Sequence, residues 1–511
     1  MATKNRGYCN ACKGLVPARH EERDGQVYLV KDCPECGRTE TLVSSDAARY
    51  FFKRSLDEDH DYIGCALNCL SCGRARQPHF AFVNVTNRCN LNCPICIDNV
   101  PALGFAFEPP FEYFDTLFRQ LARNDPKPTV ALFGGEPTVR EDLLDIIGLA
   151  RSYDLGVRVL TNGLRLADVD YCRKLVDSKA QILLSYDGRK PETYERLRGR
   201  ARSVEPKLKA IENLASMERT RRNKIILIMC VARHLNDDEV AEYLEFCHGY
   251  RHMLAAVYLM PLAHTWECAD SDFQPERITP EDVEALVDQA FPEWRVDFVP
   301  AGFVARIAKA AGRAGWQALP FLGAHPNCES ICLLVSDGSR YSPLARYLRS
   351  PLADGARRLL QLEERLAAQE ARWQEGRLGR ALGAVRLRGP VLRLLGLFQI
   401  LAAVRREVRV GALLRGRHVG KLFHALAIPL EIALGRRRRE AVARHTNVES
   451  LLQVVVLPFE DDYVLETERI ERCPNAHAFL EPETGDVRYV PICAWRVHNH
   501  TALKSLADSW A

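Results

Sequence analysis

The chain has 511 residues, 47% of them hydrophobic and 27% charged, with a formal net charge of +4. These are the values of an ordinary globular protein, and they exclude wholesale disorder, a collagen-like chain and a coiled coil. A charge this small gives no argument for a nucleic-acid partner, and none is expected. The unusual feature is eighteen cysteines, ten of them before residue 97 at two- or three-residue spacings. The opening MATKNRGYCN has no apolar run of the kind a secretory signal needs. Close-spaced thiols in such a chain read as metal ligands rather than as a disulfide framework. No stretch reaches the roughly 18 uninterrupted apolar residues of a membrane span.

In chain order, residues 1–50 are polar and bracketed by Cys9-x2-Cys12 and Cys33-x2-Cys36, with twenty residues between the pairs. That is the spacing of a tetrahedral four-sulfur knuckle, which zinc and a rubredoxin-like iron fit equally well. Residues 60–80 carry Cys65-x3-Cys69-x2-Cys72. From 81 to 300, β-rich runs alternate with amphipathic helical stretches such as 115–123 and 140–151. The expected strands are Phe80–Val85, Thr129–Phe133, Val157–Leu160, Ile182–Ser185, Ile225–Val231 and Ala256–Met260. This pattern predicts an α/β fold, a partial (β/α)6 barrel of TIM type with a parallel sheet. Residues 301–349 form a connection containing the segment HPNC with Cys328. Residues 350–445 are rich in Ala, Leu and Arg and hold no cysteine. Residues 446–511 return to mixed composition, with Cys473 and Cys493 flanking a hairpin turned at Gly485-Asp486.

The strongest motif is Cys89-Asn-Leu-Asn-Cys93-Pro-Ile-Cys96, directly after the first strand. Three thiolates on one loop can grip three irons of a [4Fe–4S] cluster and leave the fourth without a protein ligand. The loop sits at the C-terminal mouth of the expected barrel, where active sites are built. Gly134-Gly135-Glu136-Pro137 closes the second strand, Thr161-Asn162-Gly163 the third and Ser185-Tyr186-Asp187-Gly188 the fourth. This arrangement resembles the radical SAM superfamily. The resemblance implies that the open iron chelates S-adenosylmethionine (SAM). It also implies that Gly134, Gly135, Glu136, Pro137, Asn162, Ser185 and Asp187 bind that cofactor. Cys65, Cys69 and Cys72 have the same spacing but precede the first strand and lack a glycine–glutamate partner. They read as an auxiliary cluster with a fourth ligand from elsewhere, although the two triplets could in principle exchange roles. Cys328, Cys473 and Cys493 resemble the ligands of a C-terminal auxiliary cluster, with Cys332 or Cys268 as a further candidate. Cys172, Cys230 and Cys247 lie in apolar settings and read as small core residues.

The order of parts is more specific than the superfamily. It runs from the four-cysteine knuckle through two cysteine triplets, GGEPTVREDL, SYDG…YERLRG and HPNC to RCPNAHAFLEPETGDVRYVPIC. This looks like the group containing archaeal tetraether lipid synthase and relatives once assigned to pterin methylation. Departures include Tyr186 before Asp187-Gly188 and a loosely similar stretch from Leu259 to Cys268. The resemblance implies a SAM-derived radical that abstracts hydrogen from unactivated carbon, fed by a low-potential donor such as ferredoxin or flavodoxin. Coupling of lipid tails is the first expectation, and methylation of a pterin or another small heterocycle is the alternative. An Fe–S and zinc-ribbon protein that binds nucleic acid is a remote third.

Residues 381–445 carry fourteen Arg or Lys against three Glu, a local charge of +11, so the remainder carries −7. Apolar stretches flanked by arginines fit helices lying in a membrane interface, where each basic residue contributes about 1 kcal/mol. A solvated basic face or an RNA contact would use the same composition. With a lipid substrate, the expected location is cytoplasmic, on the inner face of the cell membrane.

Overall fold

The computed structural model describes residues 4–57, 62–72, 77–217, 224–266, 273, 275–310, 323–375, 405–416 and 444–510, with a few positions between 420 and 441. The chain divides into two compact units. The first comprises residues 1–287, 323–329 and 454–511, and the second 288–322 and 330–453. Cys328 falls within the first unit. Cys268 and most of the basic insertion lie outside the described residues. No described helix is long and apolar enough to cross a membrane.

The first unit opens with an antiparallel sheet of four strands: β1 (Arg6–Tyr8), β2 (Leu15–Arg23), β3 (Gln26–Cys33) and β4 (Gly37–Ser44). Asp24 and Gly25 join β2 to β3 with positive φ of 52° and 75°, as a tight hairpin turn requires. Helix α1 (Ala47–Arg54) follows, capped by the Asp46 side chain on Arg49 N.

The larger sheet runs in parallel through β5 (Phe80–Thr86), β6 (Thr129–Gly134), β7 (Gly156–Thr161), β8 (Gln181–Ser185), β9 (Ile225–Val231) and β10 (Leu254–Pro261), neighbours in sequence order. The helices between them are α2 (Phe111–Leu121), α3 (Leu143–Ser152), α4 (Val169–Asp177), α5 (Pro191–Arg198), α6 (Val204–Ser216) and α7 (Val240–Gly249). Each expected strand is present, within two residues at either end. Helices start later than expected at 143 and earlier at 111. In α2, Tyr113, Phe114, Leu117, Phe118 and Leu121 recur at three- and four-residue spacing, and all five are buried. β9 reads as an uninterrupted apolar run because both its faces are covered. Ile225, Leu227, Met229 and Val231 are fully buried on one face. Ile226 and Ile228 take the other face beside Leu160, Leu183 and Tyr258, and Cys230 continues it against Leu197 and Leu262.

The C-terminal segment extends this sheet. β11 (Asn475–Leu480) pairs in parallel with β5, Asn475 opposite Phe80, and then antiparallel with β12 (Val487–Pro491) around Gly485. The hairpin is visible in the sequence, but its docking beside β5 is not. Helix Ile492–Trp510 closes the unit. The second unit contains Val299–Pro300 paired antiparallel with Ser330–Ser336, which also pairs with Tyr341–Pro343, and the long helix Leu352–Glu375.

Candidate active site and metal centres

The Cys89–Cys96 loop leaves the C-terminal end of β5 and is held by the turn after β6. Gly135 N donates to Thr86 O at 2.7 Å and Glu136 N to Arg88 O at 2.9 Å. This backbone-on-backbone approach explains both glycines. Gly134 has φ of +124°, and a Cβ there would overlap Thr86 O. A Cβ on Gly135 would stand 2.7 Å from Arg88 C and 2.9 Å from Asn87 C. On the other side Gly199, which ends α5 with φ of +69°, would bring a Cβ to 2.6 Å from Asn92 O. Glycines therefore press on the loop from a strand end and from a helix end, and the sequence showed only the first of these contacts.

Glu136 is buried and bonded on both oxygens. Oε1 accepts from Thr138 N, Thr138 Oγ1 and Thr161 Oγ1, and Oε2 from Asn162 N at 2.6 Å. The carboxylate thus ties β6 to β7 and caps the short turn that begins at Pro137. Asn162 Nδ2 in turn donates to Asn90 Oδ1 at 2.7 Å, beside Cys89. Lys207, fully buried on α6, donates to Asn162 O, Ser185 O and Ser185 Oγ at 2.7–2.8 Å. Burial, followed by the Arg198 charge, lowers its pKa to about 8. Asp187 is fully buried and takes a bidentate contact from Arg198, both bonds 2.8 Å, plus Cys230 N at 3.0 Å. Burial opposes its ionisation, but the guanidinium prevails and its pKa is lowered. Asn162 and Ser185 remain partly accessible, whereas Glu136 and Asp187 are enclosed.

A cleft of about 540 Å³ opens over this loop, lined by Asn87, Cys89, Asn90, Asn92, Gly199 and Arg200 among others. Cys89 is exposed, and Cys93 and Cys96 are half-buried. Burial pushes the Cys89 thiol up to about 11 and Cys96 to about 12. Two cations stand near the loop. Arg198 acts on Cys93. Arg496 acts on Cys96 and donates to Ile97 O at 3.2 Å. Thiols flanked by guanidiniums suit an anionic thiolate cluster. Cys230 packs, partly buried, against Leu197, Ala232 and Leu262, as expected of a core residue, and is near enough to Cys93 to feel its charge. Cys172 and Cys247 are fully buried, as core residues. Arg198, Lys207 and Arg496 were not recognised in the sequence, where they read as surface charges on helices.

Cys9, Cys12, Cys33 and Cys36 bring all four sulfurs within 4.8 Å of one another, with Cys12 and Cys33 3.7 Å apart. A tetrahedron with metal–sulfur bonds of about 2.3 Å has edges of about 3.8 Å, so this is a site for a single ion. Cys65, Cys69 and Cys72 lie on a loop pinned by its backbone. Ile63 N and Gly64 N donate to Glu471 at 3.0 Å, and His498 Nε2 lies 2.9 Å from Leu67 O. Cys65 and Cys72 both raise the pKa of Cys69, after burial. Cys328, Cys473 and Cys493 all lie in the first unit. Cys328 acts on Cys473, and Cys473 on Cys493. Cys332 belongs to the second unit, where it is buried.

Comparison with known proteins agrees with this geometry. Residues 83–247 match the Radical SAM superfamily, and residues 2–45 match the HMPTM N-terminal zinc ribbon domain. Over 364 residues the chain is 29% identical to a 7,8-dihydro-6-hydroxymethylpterin dimethyltransferase of Methanocaldococcus jannaschii, covering 68% of this chain and 71% of that protein. It is 26% identical over 228 residues to a GTP 3′,8-cyclase of Aliarcobacter butzleri, covering 44% of this chain and 66% of that one. It is also 29% identical over 179 residues to an Fe-coproporphyrin III synthase of Methanosarcina barkeri, covering 35% and 41%. A crystal structure of Streptococcus suis SuiB bound to S-adenosylmethionine aligns over 42% of this chain and 46% of that chain, at 15% identity and a TM-score of 0.34. Residues 83–247 therefore carry a radical SAM domain, which implies SAM and a [4Fe–4S] cluster as cofactors.

Proposed function

We propose that this enzyme acts on a soluble pterin-like heterocycle and methylates it at carbon. The similarity to the pterin dimethyltransferase over two-thirds of the chain carries this reading. It favours the alternative expectation over lipid-tail coupling, and the other two relatives described above also bear names of heterocycle chemistry. The barrel interior supports it. Arg158, on the inner face of β7, hydrogen-bonds Tyr258 on β10, and both feel the charge of Glu329. Burial pushes the Glu329 carboxyl up to about 7. Phe82, Phe133 and His477 supply aromatic faces at 5.6–5.9 Å from one another. Paired polar groups and flat rings suit a planar hydrogen-bonding molecule.

When bound, the reduced cluster and SAM supply one-electron cleavage of the sulfonium and abstraction of a hydrogen atom. The chain's own residues prepare that chemistry. Cys89, Cys93 and Cys96 hold the cluster, and the cleft beside Cys89 admits SAM. Asn162 and Ser185, partly accessible at the strand ends, would offer polar atoms to SAM. Gly134, Gly135, Glu136 and Asp187 fix the loop and the strand ends that present them. A low-potential electron donor completes the system.

The test incubates anaerobically reconstituted full-length protein with SAM and reductant, adding either a dihydropterin or chain-deuterated phospholipid. The pterin is expected to raise 5′-deoxyadenosine above the substrate-free control and to gain the mass of a methyl group. Deuterium transfer from phospholipid into 5′-deoxyadenosine, with no effect of pterin, overturns the proposal in favour of lipid coupling.

A further inference from the structure

One face of helix Ile492–Trp510 lies along the end of the cluster loop. Arg496 Nη1 donates to Ile97 O at 3.2 Å, and Asn499 Nδ2 donates to Asp98 O at 3.0 Å. Residues three apart share a helix face, so these two side chains reach two successive carbonyls. Ile97 directly follows Cys96, and the Arg496 charge acts on that thiol. The Arg496 side chain is only 8% exposed, and Asn499 is buried beside it on the same helix.

A guanidinium is costly to bury unless a counter-charge meets it in good geometry. Asp462 is that partner. Arg496 Nε donates to both of its carboxylate oxygens at 3.0 Å, and Asp462 is in turn held by Trp266 N at 2.8 Å. The pair is therefore oriented: the carboxylate lies on the Nε side, and Nη1 is turned to the carbonyl beside Cys96. Arg198 is arranged differently, with its Nε and Nη2 edge on Asp187. An iron–sulfur cluster on three thiolates is anionic, and reduction adds one more negative charge. A fixed cation nearby stabilises the reduced form more than the oxidised one, and net charge and hydrogen bonding are among the levers that set such potentials.

We propose that Arg496 tunes the reduction potential of the SAM cluster from the end of its loop, with Asp462 orienting the guanidinium and moderating its charge. Arg496 is a positioning residue that acts through the loop and touches no substrate. The two members of the ion pair then have opposite effects: loss of the cation makes the cluster harder to reduce, and loss of the anion makes it easier. A brace that only holds the loop has no reason to give opposite signs. The assignment concerns the cluster and not the substrate, so failure of the pterin reading leaves it standing.

The test uses full-length protein, reconstituted anaerobically, with Arg496→Gln, Arg496→Lys and Asp462→Asn made separately. The readout is the reduction potential, followed by electron paramagnetic resonance during a redox titration at mildly alkaline pH. The SAM cluster is identified as the signal whose shape changes when SAM is added. Arg496→Gln is expected to lower the reduced-to-oxidised ratio at a fixed potential about tenfold, a shift of about 59 mV for one electron. Asp462→Asn is expected to raise that ratio, and Arg496→Lys to stay near the parent. An unchanged potential in Arg496→Gln with a full cluster overturns the proposal, as does the absence of an upward shift in Asp462→Asn. A shift in Arg496→Lys equal to that in Arg496→Gln also overturns it, because the charge is then not the cause. If Arg496→Gln assembles no cluster, the sign of the shift in Asp462→Asn decides.

Discussion

Substitution of Gly135 by alanine tests the claim that the turn after β6 sets the position of the cluster loop. The added Cβ would stand 2.7 Å from Arg88 C and 2.9 Å from Asn87 C, and nearer still to Arg88 O. Carbon–carbon contacts settle at about 3.5–4.0 Å, so the turn and the loop must separate by roughly 1 Å. Both sides are backbone, so no rotamer change relieves the clash. A misplacement of about 1 Å near reacting groups costs on the order of a hundredfold in rate. The assay is 5′-deoxyadenosine formed per chain under reductant, with iron and zinc measured on the same sample. Gly135→Ala is expected to lower SAM cleavage about a hundredfold while the metal in the four-cysteine ribbon stays in place. Gly148→Ala in α3 is the control, because a Cβ there meets nothing within 4 Å. It should leave cleavage unchanged and stabilise the helix by about 0.5–1 kcal/mol. If Gly135→Ala cleaves SAM within about threefold of the parent with full iron, the loop is not positioned by this contact.

Three further outcomes follow from the geometry. Asp187→Asn breaks a buried bidentate ion pair and should cost about 3 kcal/mol, read as a roughly hundredfold loss of hydrogen-exchange protection in β9. Replacing Arg198 by Met in the same chain should recover part of that loss, and equal protection in parent and Asp187→Asn would refute the role. X-ray absorption at the metal in the N-terminal ribbon should show a single sulfur shell at about 2.3 Å, with loss of one metal ion in Cys12→Ser. A metal–metal distance there would refute a mononuclear site. For pH, burial and then the Arg54 and Arg469 charges lower His325 to about 4, against the opposing pull of Glu468. Between about 4 and the ordinary 6.5 the unfolded chain holds a proton that the folded chain lacks, so this group's stabilisation is lost as pH falls through that window. The thermal midpoint should fall more steeply from pH 7 to pH 4.5 in the parent than in His325→Gln, and parallel curves would refute the assignment.

The strand–helix alternation was legible because parallel strands covered on both faces spell continuous apolar runs, as Ile225–Val231 does. The cysteine triplets and the GGE turn were legible because their chemistry depends on local spacing. What stayed hidden depends on tertiary approach. Lys207, Arg198 and Arg496 sit on helices, where basic residues ordinarily face water, and only the fold brings them to the strand ends and thiols. The contact of Gly199 with Asn92 joins residues a hundred positions apart, and no local signal announces it. Glu136 was legible as a site residue, but its role could be seen only once Thr138, Thr161 and Asn162 were in place around it.

The segment from Glu460 to Glu471 illustrates the same principle at larger scale. In the sequence it is an acidic run of the kind that usually marks a solvated surface. In the first unit its acids are sent to separate elements. Asp461 pairs with Arg277 at 2.8 Å, and Asp462 with Arg496 at 3.0 Å. Glu466 takes His20 at 3.2 Å and Asn5 at 2.6 Å, while Glu468 meets Arg54 at 2.5 Å. Tyr463 O accepts from the buried Lys31 at 2.6 Å, and Glu471 holds the backbone before Cys65. The ribbon and the Cys65–Cys72 loop are each too small to bury a sizeable core. Charges on one strap supply the anchoring that apolar area cannot, and they do so with directional bonds that fix orientation. One stretch of backbone therefore anchors both the four-cysteine ribbon and the Cys65–Cys72 loop.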